Sequence, residues 1–107
     1  MSILLDIHEL RLLVDQGNLL WQQHCLERMQ ERDISTADVL SALATGEIIE
    51  EYPTDYPHPS CLVMGTSVEE SPLHVVAGTD GDKVYLITAY VPNADVFEED
   101  LKTRRSE

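Results

Sequence analysis

The sequence predicts an α+β domain in which N-terminal helices pack on a four-stranded antiparallel sheet. Three observations carry the prediction. Apolar residues recur at helical spacing as far as Gly46 and in strand-like runs after it. Ser35 with Asp38 makes a helix-start signature just before an apolar run that Gly46 closes. Asp80-Gly81 is a two-residue hairpin signal between two β-rich stretches. Helices first and strands after is the α+β order, and short links between strands imply an antiparallel meander with its apolar face under the helices.

The elements follow in order. Ile3, Ile7, Leu10, Leu13 and Val14 keep helical spacing, and Gly17 is the C-cap candidate. His8 lies near that apolar stripe and reads as packing. Residues 18–22 are either a short extended run or the lead-in to a second helix over about 22–32, which Asp33-Ile34-Ser35 breaks. Ser35 caps a third helix with Asp38 as a weak capping box, and Ile34 faces Val39 as a hydrophobic staple. Val39, Leu40 and Leu43 are its buried side. Strands are expected over 47–52, 61–66, 73–79 and 83–91, where Pro92 ends the last. A last helix over 95–105 is acidic at its start and basic at its finish, which suits the macrodipole better than a core.

At 107 residues one domain is expected over 1–107. It divides into a helical part (1–46), a β-meander (47–92) and an acidic-then-basic C-terminal segment (93–107). The net charge is −13, a field that repels nucleic acid and anionic membranes at long range. Only a local basic patch outweighs it: the His24, Arg28 and Arg32 face, or Lys102, Arg104 and Arg105. No apolar run approaches the ~18 residues of a membrane span, and the N-terminus lacks the basic region of a signal peptide. A cytoplasmic protein without a membrane partner is expected. Cys25 and Cys61 suit a reduced compartment as buried small hydrophobes. No cysteine or histidine has metal-ligand spacing, so neither metal nor cofactor is expected.

The stretch over 21–52 organises the chain. At about 100° per residue, His24, Arg28 and Arg32 share the side of Trp21 and Cys25, while Gln23, Glu27, Gln30 and Glu31 take the other. The cations therefore fall on the arc expected to face the fold. A charge aimed inward needs a partner, a ligand or water.

The motif His24-x-x-x-Arg28-Met29-x-x-Arg32-x-Ile34-Ser35 is followed by Val39 and Gly46-Glu47-Ile48-Ile49-Glu50-x-Tyr52. Then come Leu62-Val63-x-Gly65, Pro72-Leu73-His74-Val75-Val76, and Ile87-Thr88-x-Tyr90 with Pro92. From about His24 to Arg104 these ordered motifs resemble a bacterial family defined only as a domain of unknown function. Its members often stand beside antitoxin-like proteins with a zinc finger of the YgiT kind. In layout it is similar to the RelE/MqsR group of small toxins, which are metal-independent ribonucleases. The resemblance implies a RelE-like layout, a toxin-like protein of a toxin–antitoxin module, an antitoxin-like partner, and RNA as substrate. It carries over His24, Arg28 and Arg32 on the signature helix, His74 on the third strand, Thr88 and Tyr90 on the last, and Arg104 or Arg105 in the tail. The acidity departs from RelE-like toxins, which are usually strongly basic to hold RNA.

RNA cleavage without a metal needs a base for the 2′-hydroxyl, an acid for the leaving oxygen and positive donors on the phosphate. Histidine titrates in the useful range, and arginine offers a fixed fork for phosphate. His24, Arg28, Arg32 and Tyr90 (or Tyr85) form the candidate catalytic set, with Thr88, His74 and Arg104 as substrate-binding residues. A structural role competes at each position. Arg28 and Arg32 would clamp their helix onto Glu47, Glu50, Glu51 or sheet carbonyls, His24 would fill a core edge, and His74 would pack. The Tyr52, Tyr56 and His58 loop, with three prolines, reads as a rigid connector rather than a recognition loop. The competing function is a non-catalytic interaction module on the same fold. Solvent access to His24 and the two arginines separates the two.

Overall fold

Three helices lie on one face of a five-stranded mixed sheet, in a computed structural model that describes residues 5–92. The expected helix over 95–105, and with it Arg104 and Arg105, lies outside the described residues. In chain order the elements are α1 (Ile7–Asp15), β1 (Leu19–Trp21), α2 (Gln23–Glu31), α3 (Thr36–Thr45), β2 (Glu47–Tyr52), β3 (Ser60–Thr66), β4 (Pro72–Thr79) and β5 (Val84–Tyr90). The spatial order is β1-β5-β4-β3-β2. β2 to β5 form the expected antiparallel meander. The expectation of four antiparallel strands needs correcting, because β1 adds a fifth strand and pairs with β5 in parallel, Leu19 opposite Val84 and Trp21 opposite Leu86. Three residues are too few to display a period, so this strand is set by a partner sixty-five positions away in the chain. No helix among the described residues is long and apolar enough to cross a membrane.

Local chemistry explains the helix ends. Gly17 (φ 78°) closes α1: its N–H donates to the Val14 carbonyl, and the Asn18 N–H donates to that of Leu13. The same pair of bonds ends α2 around Asp33 (φ 58°), with Asp33 N–H to Gln30 and Ile34 N–H to Met29. Aspartate is among the few non-glycine residues that tolerate this backbone, and here it turns the chain directly into α3. Ser35 and Asp38 make a reciprocal capping box at 3.0 Å each way. The hairpin after β4 is longer than the two residues expected. Asp80, accepting from the Asp82 and Lys83 N–H groups, orders a loop over 80–83 with Gly81 at φ 95°.

Leu10, Cys25, Met29, Ile34, Val39 and Leu43 from the helical half meet Cys61, Val63, Leu73, Val75, Val84 and Leu86 from the strands in one buried cluster. α3 approaches β3 very closely. A Cβ built on Gly65 would run into the Ala42 backbone, and one on Gly46 would lie 2.6 Å from the Met64 carbonyl oxygen. Only glycine permits that backbone-to-backbone approach. α3 has no basic residue in its last turn, so its C-terminal carbonyls take a donor from elsewhere. Arg11 of α1 supplies it, donating Nε–H to the Leu43 carbonyl at 2.9 Å and Nη2–H to that of Gly46.

Candidate α2–β5 corner site

β5 is covered along its outer edge in two instalments. β1 pairs with its first half, and α2, entering at Gln22 with an N–H to the Leu86 carbonyl, lies beside its second half. A strand edge left open there would invite pairing with another chain. Arg32, at the C-cap of α2, seals it: one Nη1 donates to the Ala89 carbonyl at 2.8 Å and to the Thr88 hydroxyl at 3.2 Å. The guanidinium itself stays on the surface.

The three cations of α2 therefore have three different environments. Arg32 docks on the sheet, as the inward arc predicts, but on an edge carbonyl rather than on a carboxylate. Arg28 departs from that arc: it is half-buried and pairs along its own helix with Glu31 at 3.0 Å. Because α2 lies beside the edge of β5, its inward arc is narrower than the sequence implies. Cys25 and Met29 fill that arc, and Arg28 lies at its rim. His24 is exposed near the N-terminus of α2, eight residues or about 12 Å of helix rise from Arg32.

Tyr90 and His74 flank the same end of β5. They are register partners, with ring centroids 5.4 Å apart in an edge-to-face arrangement, and His74 is fully buried. The structure thus brings Arg32, Thr88, Tyr90 and His74 to one corner and leaves Arg28 and His24 one and two turns along α2. Tyr85 lies at the other end of β5, stacked on His58 at 5.0 Å, and takes no part in the corner.

Beside Arg32 opens a polar cleft of about 410 Å³, lined also by Ser35, Asp38, Ser67, Glu69, Ser71 and Val91. The backbone N–H of Ser35, with that of Val68, holds the Asp38 carboxyl below the ordinary carboxylate value. The cleft lining therefore carries a carboxylate, with Asp33 and Glu69 beside it, and this charge opposes a phosphate within the cleft. Beneath the helix, Cys25 has its thiol pushed up by burial, an effect the Arg32 charge partly offsets. Among the described residues no group of three histidine, cysteine, aspartate or glutamate side chains is disposed to hold a metal ion.

Three polar contacts lie outside those that the sequence singles out. Arg11 belongs to the helix–helix contact above. Asp55 accepts from the fully buried Ser60 hydroxyl at 2.6 Å, and Asp80 accepts from the Tyr85 hydroxyl at 2.8 Å. The first has a weak hint in the sequence, since α3 ends without a basic residue to serve its last carbonyls.

No curated protein and no solved structure matches the chain. A family model does, over residues 21–91, which run from β1 through the α2 row to the residue after β5. The match takes in every element of the corner, and the chain belongs to the DUF4258 family, a domain of unknown function.

Proposed function

We propose that the protein is a toxin-like RNA endonuclease that works without a metal ion and is held inactive by an antitoxin-like partner. The observation that supports it most is the accessibility of the α2 row: His24 and Arg32 are exposed, and the Arg28 side chain keeps 42% of its surface in contact with water. An exposed Arg28–Glu31 pair contributes little to stability, so a phosphate exchanges for the glutamate at small cost. In this reading Arg28 and Arg32 hold the phosphodiester, and the Thr88 hydroxyl orients Arg32. His24 takes the proton of the 2′-hydroxyl, and Tyr90 protonates the 5′-oxygen that leaves. The 2′-oxygen–phosphorus bond forms as the phosphorus–5′-oxygen bond breaks, giving a 2′,3′-cyclic phosphate and a 5′-hydroxyl.

A second reading has its own support. Arg32 already spends two hydrogen bonds on β5, and the net charge of −13 opposes RNA. On that reading the row is structural, and the protein is an interaction module on the same fold.

Induction in a bacterial host without any partner separates the two. Arrested growth and degraded transcripts are expected for the wild type, and neither for a His24→Gln/Arg28→Gln double variant, whose changes lie on exposed or rim positions. Normal growth with intact RNA at confirmed folded expression would leave the interaction module standing.

A further inference from the structure

The face of the sheet away from the helices carries a second feature, at the end of β5 opposite Arg32. A cleft of about 440 Å³ is lined by Leu20, Tyr56, His58, Tyr85 and Ile87 with Asp55 at its rim. Two of these side chains are conspicuous in water. Tyr56 is 91% exposed on the loop before β3, and Leu20 is 46% exposed on β1. Neither exposure is unusual alone, but here the two share one cleft with His58, Tyr85 and Ile87, an apolar and aromatic surface rimmed by polar groups. Tyrosine in particular is enriched where proteins meet, since it brings a large rigid ring at low entropic cost.

The charge around the cleft selects the partner. Its lining includes no lysine or arginine. Asp55 is in the lining, and outside it Asp80 accepts from the Tyr85 hydroxyl, with Lys83 next to that carboxylate. Both Asp80 hydrogen bonds to backbone N–H groups and the one from Tyr85 keep that carboxyl ionised, with its pKa lowered to about 2. Carboxylates beside stacked rings repel the phosphates of a nucleic acid, so base stacking on this platform is disfavoured. They attract a guanidinium or an ammonium group, which also gains from lying over the face of a tyrosine ring. Leu20 and Ile87 meanwhile offer an apolar seat for its neighbours.

We infer that this cleft docks an extended segment of a partner protein in which arginine or lysine alternates with apolar side chains. The cation lies against Tyr56 and Tyr85 between the aspartates, and the apolar residues lie on Leu20 and Ile87. The site does not depend on the RNA reading: none of His24, Arg28 and Arg32 lines it, although Gln22, the N-cap of α2, does.

The test is nuclear magnetic resonance titration of the 107-residue protein with an acetylated hexapeptide alternating leucine and arginine. A matched peptide bears citrulline in place of each arginine, keeping shape while removing charge. The arginine peptide is expected to shift the resonances of Leu20, Tyr56, Tyr85 and Ile87 together, and the citrulline peptide to bind at least about tenfold more weakly. Tyr56→Ala, at a loop position that supports nothing in the core, is expected to weaken the arginine peptide by about tenfold, and Tyr56→Phe to restore it. Three results would overturn the inference: equal binding of the two peptides, wild-type affinity in Tyr56→Ala, or shifts scattered over the acidic surface. Equivalent shifts produced by a single-stranded RNA in place of the peptide would also overturn it.

Discussion

Arg28 and Arg32 sit one turn apart on the same helix, yet a charged side chain's worth depends on what its removal leaves behind. Deleting Arg28 frees an exposed glutamate that water satisfies at once. Deleting Arg32 leaves the Ala89 carbonyl at a strand edge without its charged donor. Arg32→Ala is therefore expected to cost about 1.5–3 kcal/mol, the range for hydrogen bonds to charged groups, and Arg28→Ala to stay within about 0.5 kcal/mol. Urea denaturation with unchanged slopes checks both, and equal midpoints for the two variants would remove Arg32 from its sealing role. The cysteines give a second prediction at this scale. Cys25 and Cys61 are fully buried, and desolvation with the nearby Glu51 pushes the Cys61 thiol up to about 12. Both thiols are expected to resist a thiol-specific reagent in the native protein at neutral pH and to react fully in denaturant.

Among the elements, the seam between α3 and β3 is the tightest. Gly65→Ala drives a methyl group into the Ala42 backbone, which has no flexible end to yield. A loss of about 1–3 kcal/mol, or more if the helix is displaced, is expected from thermal or urea unfolding. The β4–β5 loop responds to pH instead. Backbone N–H groups and the Tyr85 hydroxyl lower the Asp80 pKa from 3.8 to about 2, so its contribution is complete above 3.8 and is lost as pH falls toward 2. Tyr85 is raised by the same contact, so the contribution is also lost as pH rises past the ordinary tyrosine value of 10. Amide exchange at Asp82 and Lys83 is expected to quicken at both extremes, and Asp80→Asn to abolish the acid limb. These elements also mark how far the sequence is legible. The capping box, the helix stop at Gly17 and the four meander strands rest on local signals, and they stand where those signals put them. For β1, the short extended run offered as one alternative over 18–22 is the one the structure adopts, but its pairing with β5 has no local signal. Of the candidate site, the α2 row was readable from its spacing, and the resemblance supplied Thr88, Tyr90 and His74. That Arg32 would choose an edge carbonyl, and Arg28 its helical neighbour, depends on how α2 sits against the edge of β5. No periodicity encodes that placement.

At the scale of the whole molecule, β5 separates two surfaces of different character. Along its edge lie the exposed cations of α2, and on the sheet face away from the helices lies an aromatic cleft with Asp55 in its lining. In a chain of net charge −13, a cationic row of this size is a local exception that screening weakens further. RNA binding there is thus expected to fall steeply with salt. The most direct test of the central claim uses purified protein, a single-stranded RNA and a chelator in excess, with the termini of the products identified. Cleavage leaving 2′,3′-cyclic phosphate and 5′-hydroxyl ends is expected, reduced at least about 100-fold in the His24→Gln/Arg28→Gln variant. Intact RNA with the folded wild type, or undiminished cleavage by the variant, would contradict the assignment of chemistry to the α2–β5 corner.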